Sequence, residues 1–189
     1  GQNLFGLDYK SDGMVIATAL RSPSFGGTLD SFNAEEAKVI NGVIDVFELE
    51  NKVIVVAKNT WAAIKAKKLV KATWNVVNGE SSEIHDKILL KLLDGNEFET
   101  KRKDGDIVKA FKEADTVLER TYESPFLPHS CMEPMNFFAD VRADGASLVG
   151  PIQTPEGTQY RVAEKLGFDK AKVSVMLTRM GGGFGRRLI

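Results

Sequence analysis

The sequence is poor in the residues that build disulfides and metal clusters. It has one cysteine, Cys131, and two histidines among 189 residues. A single thiol excludes an internal disulfide and a thiolate metal cluster within this chain. The net charge is only −1, so no excess of basic residues favours binding to nucleic acid or to an acidic membrane surface.

Long apolar runs and the standard nucleotide motifs are also missing. No apolar run is long enough to span a membrane, and no signal peptide is present. The phosphate-loop pattern GxxxxGK[ST] is absent, and the pattern GxGxxG fails because Arg186 stands where its third glycine would be. The chain looks like an excised piece of a longer protein, so the compartment, cytoplasmic or periplasmic, stays open.

What is present is the apolar patterning of a globular α+β chain, with 43% hydrophobic and 27% charged residues. Residues 1–78 alternate strand and helix patterns and predict a compact first domain. Residues 79–105 have the composition of a linker region around an amphipathic helix. Residues 106–189 predict a second domain that the end of the chain truncates. Its predicted elements are helices over 107–114 and 156–166 and strands over 116–124, 136–141, 147–149 and 172–177.

A glycine run after the last predicted strand is the strongest local signal. The segment MGGGFGRR covers residues 180–187. Four glycines in five positions cost chain entropy, so they indicate a sharply turned backbone or a large group that lies against it. Free N–H groups of such a loop can face anionic oxygens, and the arginines add charge. We interpret the run as a ligand loop rather than a surface turn.

Two further segments offer candidate chemistry. His129, Cys131 and Glu133 are a weak metal-ligand set without another histidine or cysteine nearby. A buried turn in which His129 and Glu133 satisfy backbone groups is the better interpretation. Gln153 lies in a turn bracketed by Pro151 and Pro155. Its amide either faces a ligand oxygen or caps the following helix, and the residues alone leave both open.

The motifs together resemble the molybdenum hydroxylases, the xanthine dehydrogenase and aldehyde oxidase family. MGGGFG at 180–185 resembles the cofactor loop of the family. HSCMEPMN at 129–136 and the arginine pair that follows the glycine loop are similar to the isoquinoline-oxidising members. Segments 20–23, 41–44 and 55–63 are similar to the family's α/β hammerhead domain. The resemblance implies a hammerhead domain over 1–78 and, from 106, the start of the molybdopterin-binding domain.

The resemblance also implies roles for individual residues. Gln153 matches a glutamine that donates to the apical oxo ligand of molybdenum, and Phe184 matches a phenylalanine beside the open face of the metal. These two are the candidate catalytic residues. Gly182, Gly183 and Gly185 match backbone that approaches the metal and pterin, and we assign Phe184 and Arg186 to the same cofactor-binding loop.

Two departures from the family pattern limit what carries over. The xanthine-type members have a glutamate that contacts substrate where this chain has Leu188, which disfavours a purine substrate. The family's catalytic glutamate lies far downstream of the matched region, so no residue here is assigned as the general base.

The expected function is therefore that of a fragment of a molybdenum hydroxylase large subunit. It would act on N-heteroaromatic or aldehyde substrates with water as the oxygen source. Molybdopterin cytosine dinucleotide is the implied cofactor and a small [2Fe–2S] subunit the implied partner, with no nucleic acid and no membrane segment in this chain. We expect the isolated piece to lack the cofactor and to be inactive. The alternatives are a non-catalytic subunit-interaction module and an anion-binding domain that uses only the glycine loop.

Overall fold

A computed structural model describes residues 4–76, 81–95 and 97–188 of the chain, which form two compact units. One unit is Gly13–Leu118, and the other joins Gly1–Asp12 to Glu119–Ile189. The mixture of helices and strands confirms the predicted α+β class. The predicted domain ranges 1–78, 79–105 and 106–189 stay a prediction, since these units follow spatial contact and place the first twelve residues with the C-terminal part.

The described part of the unit of residues 13–118 contains two sheets. Its strands and first helices are β1 (Ile16–Leu20), β2 (Thr28–Asn33), α1 (Glu35–Lys38), β3 (Val43–Glu48), β4 (Val53–Ala57), α2 (Thr60–Leu69) and β5 (Lys71–Asn75). Strands β1, β4 and β3 form an antiparallel sheet in that order, while β2 pairs antiparallel with β5. Helix α2 is capped by Asn59, whose side chain accepts from the N–H of Ala62. Val53 and Val55 of β4 are fully buried in the core.

The region that follows β5 has little burial. Helices α3 (Ser82–Leu93) and α4 (Ile107–Glu113) form where the patterns predict them. Every described residue from 81 to 130 is exposed. The predicted strand over 116–124 is wrong: no strand forms there in the described residues, since an alternating pattern needs a neighbouring strand to pair with. No helix in the described part of the chain is both long and apolar enough to cross a membrane.

The C-terminal unit is built on a three-stranded sheet. Its elements are β6 (Phe138–Arg142), β7 (Gly145–Gly150), α5 (Pro155–Leu166) and β8 (Val173–Leu177), with short 3₁₀ helices at Gly6–Asp8 and Lys170–Lys172. Strands β6 and β7 form an antiparallel hairpin, and β8 pairs parallel to β7 after the α5 crossover. Helix α5 covers the predicted helix 156–166; it begins at a proline and is ended by Gly167, which has φ +70°.

The parallel pairing of β7 and β8 positions the candidate site. Gly150, the last residue of β7, lies opposite Leu177, the last residue of β8. Parallel strands point the same way, so the segments that leave them emerge at the same edge of the sheet. Gln153 follows β7 and the glycine run follows β8, and both therefore reach this edge. Ligands of open α/β sheets bind outside the carboxyl ends of parallel strands.

Leu148→Ala should lower the unfolding free energy of the C-terminal unit by about 2–5 kcal/mol, because truncation of a packed side chain leaves a cavity. Leu148 is 2% exposed and belongs to the core cluster of Ala146, Ala163 and Val173. Hydrogen exchange of the β7 amides in the full-length protein measures the change. Val141→Ala, on the exposed side of the hairpin, is the control and should cost less than about 1 kcal/mol. Equal losses would contradict this assignment of the core.

Candidate functional site

The glycine loop, residues 180–188, turns through left-handed backbone conformations. Gly182 has φ +106° and Gly185 has φ +94°, and Phe184 between them has φ +51°. The turn is closed by the N–H of Arg186, which donates to the Gly183 carbonyl at 2.8 Å. Non-glycine residues rarely adopt positive φ, so the conformation of Phe184 stores strain of the kind that clusters at functional sites. The Phe184 side chain is 76% exposed.

Two other glycines are required because side chains pack against the loop. A Cβ at Gly181 would lie 2.5 Å from the Cβ of Glu133, and one at Gly183 would lie 2.7 Å from the Sδ of Met180 and 2.8 Å from the Oε1 of Gln153. Neither position has a positive φ. The glycines of the run therefore serve two purposes: some allow the turn, and others admit Glu133 and Gln153 to the backbone.

Gln153 is fixed against the loop by its carbonyl oxygen. Its Oε1 accepts from the N–H of Gly185 at 3.1 Å and from the N–H of Arg187 at 3.2 Å. Its backbone N–H donates to the Arg187 carbonyl at 2.9 Å. Because Oε1 is committed to two donors, the amide nitrogen Nε2 is the outward end of the side chain. Within the described residues Nε2 forms no hydrogen bond, and the side chain forms no cap on α5.

A buried ion pair lies beneath the loop. Nη2 of Arg187 is 3.3 Å from Oε2 of Glu133, with Arg187 1% and Glu133 7% exposed. The guanidinium also donates to three backbone carbonyls, those of Gly182 (2.8 Å), Glu133 (2.8 Å) and Pro151 (3.5 Å). The motif predicts Arg186 as a residue of the site and gives no separate role to Arg187, which is the buried one. Arg186 is exposed, and adjacent arginines give no local sign of which one points inward.

Glu133 fulfils the structural role predicted for it. Its Oε1 accepts from the N–H of Gly6 at 3.1 Å and from Nδ2 of Asn136 at 2.9 Å, and its Oε2 accepts from the N–H of Gly181 at 2.9 Å. Burial acts to raise the pKa of Glu133. The hydrogen bonds from Gly181 and Asn136 and the charge of Arg187 outweigh burial, so the pKa lies below its ordinary value.

The other two residues of the weak metal-ligand set have separate surroundings. Cys131 is half-buried and its thiol donates to the Gly183 carbonyl, with Sγ 3.6 Å from the oxygen. His129 is exposed, with its Nε2 3.8 Å from the place of a Cβ at Gly185, so the buried position predicted for it is wrong. The residues that the structure describes contain no group of three potential ligands able to hold a metal ion. Segment 129–133 instead runs beside the glycine loop.

Comparison with known proteins gives the site a family. The sequence model of the molybdopterin cofactor-binding domain matches residues 91–189, more than half of the chain. The chain is 27% identical over 206 residues to the beta subunit of isoquinoline 1-oxidoreductase from Brevundimonas diminuta, a match that covers 100% of this chain and 26% of that protein. It is 26% identical over 212 residues to a membrane-bound aldehyde dehydrogenase (pyrroloquinoline-quinone) of Gluconacetobacter polyoxogenes, with 100% and 26% covered.

A solved structure shows the same fold. Quinoline 2-oxidoreductase from Pseudomonas putida 86 superposes with a TM-score of 0.71 at 16% identity, over 98% of this chain and 29% of that chain. The chain thus spans about a quarter of the length of the two curated relatives that it matches.

Arg187→Met should destabilise the C-terminal unit by about 3–5 kcal/mol, because it leaves the buried Glu133 carboxylate without its counter-charge. Arg186→Met removes the same group from an exposed position and should change stability by less than about 0.5 kcal/mol. Urea unfolding of the two variants beside the wild type measures the difference. Similar losses in both variants would contradict the buried ion pair.

The lowered pKa of Glu133 gives stability a defined pH dependence. The stabilisation is fully present above the ordinary value of 4.5 and is lost as the pH falls through the lower folded-state value. The stability difference between the wild type and Glu133→Gln should therefore shrink as the pH falls from about 6 to about 3. Thermal melts across this range test it, and a difference that grows in acid would show that the sign is wrong.

Proposed function

Because the chain belongs to the molybdopterin cofactor-binding domain family of the molybdenum hydroxylases, we propose that it is the part of a hydroxylase large subunit that carries the cofactor loop and the glutamine facing it. The whole protein would hydroxylate an electron-poor carbon of an N-heteroaromatic or aldehyde substrate with oxygen from water. Its electrons would leave through a small [2Fe–2S] subunit. About three quarters of each of these two relatives lies outside the part that this chain matches, and the remaining cofactor-binding and catalytic residues of the whole protein would lie in that part.

The observation that carries the proposal is the set of hydrogen-bond donors at the loop. The amide nitrogen of Gln153 has no partner among the described residues. The same is true, in that part of the chain, of the backbone N–H groups of Gly182, Gly183 and Phe184. Pre-positioned neutral donors stabilise anionic oxygens without cost of reorganisation. The donor set therefore fits a polar cofactor rich in oxo and phosphate oxygens.

Each loop residue has a role that its geometry allows. Gln153 would donate through Nε2 to an oxo ligand of the cofactor. Phe184, which has a positive φ and an exposed side chain, would place an aromatic ring beside the reacting centre. Gly182, Gly183 and Gly185 would bring backbone close to the cofactor. The exposed guanidinium of Arg186 would add a cation for the anionic parts of the cofactor.

The proposed cofactor form is molybdopterin cytosine dinucleotide. When bound, the molybdenum centre supplies the two-electron oxidation and the oxygen transfer, while this chain orients the centre and donates hydrogen bonds to it. One relative's name specifies pyrroloquinoline quinone instead. The family match over residues 91–189 favours molybdopterin. Leu188 stands where a xanthine-type enzyme has a substrate-binding glutamate, which favours a substrate other than a purine.

Cofactor analysis of the full-length protein tests the proposal. We expect stoichiometric molybdenum, with cytosine nucleotide released on acid hydrolysis, and heavy oxygen transferred from labelled water to an N-heteroaromatic or aldehyde product. Bound quinone without molybdenum would overturn the cofactor assignment. Absence of both, with a folded protein, would favour the subunit-interaction module, and saturable phosphate binding at the loop would favour the anion-binding domain.

Gln153→Glu should lower turnover per bound molybdenum by about a hundred- to a thousand-fold. A glutamate keeps an acceptor for the N–H groups of Gly185 and Arg187, yet replaces the outward donor with an oxygen. The variant should therefore fold and retain much of its molybdenum. Steady-state rates normalised to molybdenum content measure the loss.

Gln159→Glu is the matched control for this experiment. Nε2 of Gln159 donates to the carbonyls of Lys170 (3.2 Å) and Val173 (2.6 Å), so this glutamine braces α5 against the start of β8. Its substitution should lower the melting temperature and leave turnover per molybdenum near the wild-type value. If Gln153→Glu behaves in the same way, Gln153 is only a structural brace.

A further inference from the structure

We propose that Arg187 and Glu133 are positioning residues that set the shape of the glycine loop and the orientation of the Gln153 amide. The proposal rests on the proposed function for its purpose, the alignment of donors toward the cofactor. The ion pair controls the local geometry of residues 181–188 in addition to stabilising the unit.

Arg187 joins three separate segments of the chain. Its side chain donates to the carbonyl of Gly182 in the loop, of Pro151 in the turn after β7, and of Glu133. Its backbone N–H and carbonyl both bond to Gln153. A guanidinium suits this position because its planar fork can reach several acceptors at fixed angles. A lysine would keep the charge and could not hold the same acceptors together.

Glu133 holds the start of the loop at Gly181. Its carboxylate accepts from the N–H of Gly181, and its backbone N–H donates to the carbonyl of Gly181. Each carboxylate oxygen receives two donors, from Gly6 and Asn136 on Oε1 and from Gly181 and Arg187 on Oε2. A glutamine has one carbonyl oxygen, so its NH₂ group would face two of these donors. The site thus requires the ionised carboxylate.

The geometry links the ion pair to Gln153 through the backbone. The N–H of Arg187 and the N–H of Gly185 are the two donors that fix Oε1 of Gln153. If the guanidinium loses its acceptors, the backbone of Arg187 is free to move, and the amide of Gln153 loses its orientation. Gly185 is the best reporter of this effect, because its N–H bonds to Gln153 and to neither member of the ion pair.

Hydrogen-exchange mass spectrometry of the full-length protein, produced without molybdate, tests the proposal independently of cofactor. In Arg187→Lys and Glu133→Gln we expect exchange of the peptide over 181–188 to rise about tenfold or more above any rise in the β7 peptide over 145–150, which reports the stability of the whole unit. Arg142→Lys and Asp140→Asn make the same changes in the exposed Asp140–Arg142 ion pair of the same unit. They should leave both peptides unchanged.

A purely stabilising role predicts another pattern, because loss of global stability alone would accelerate exchange in both peptides by the same factor. That pattern, or an unchanged loop peptide, would overturn the proposal. If Arg187→Lys does not fold, Glu133→Gln is the deciding variant. It should fold because the Arg187 guanidinium keeps its backbone acceptors in that variant.

Protein produced with molybdate separates this proposal from the proposed function. We expect lowered molybdenum content in Arg187→Lys and wild-type content in Arg142→Lys. Wild-type protein without molybdenum would overturn the function, while the exchange pattern still decides the positioning role. The positioning role alone would be overturned if the wild type contains molybdenum and Arg187→Lys has the same molybdenum content and an unchanged exchange rate of the loop peptide.

Discussion

The buried ion pair between Glu133 and Arg187 is the interaction on which the site depends. An ionised carboxylate and a guanidinium that are almost wholly removed from water are tolerated only if each is paired and hydrogen-bonded. Here both conditions hold, because N–H groups and backbone carbonyls of the surrounding segments satisfy the two side chains. No buried side-chain nitrogen or oxygen atom in the described residues lacks a partner. The two opposite charges neutralise one another locally, and their hydrogen bonds hold the backbone of the loop.

The sheet brings the parts of the site to one place. Strand β8 lies parallel to β7, so the segments that leave the two strands share an edge. Gln153 leaves one strand and the glycine loop leaves the other, and their hydrogen bonds to one another close the arrangement. The same topology explains why α5 must be a crossover helix: a parallel neighbour cannot be reached by a tight turn. The site is therefore a consequence of one βαβ unit with a buried ion pair beneath it.

The glycine run shows how one composition serves different needs. Gly182 and Gly185 adopt backbone conformations that side chains rarely allow. Gly181 and Gly183 admit Glu133 and Gln153 to distances that a Cβ would forbid. The composition of the run indicates a sharp turn or a close approach of another group to the backbone. Which glycine serves which purpose depends on neighbours that are remote in the sequence.

The sequence by itself determined the α+β class, the helix over 156–166 and the resemblance to a molybdenum hydroxylase. These features depend on residues close together in the chain, where periodicity, capping and motif spacing act directly. Only the tertiary structure decided that Arg187 rather than Arg186 is buried, that its partner is Glu133, 54 residues away, and that the Gln153 amide nitrogen faces outward. The physical reason is that burial and pairing are properties of segments brought together by the sheet, and no local pattern records which neighbours the fold will supply.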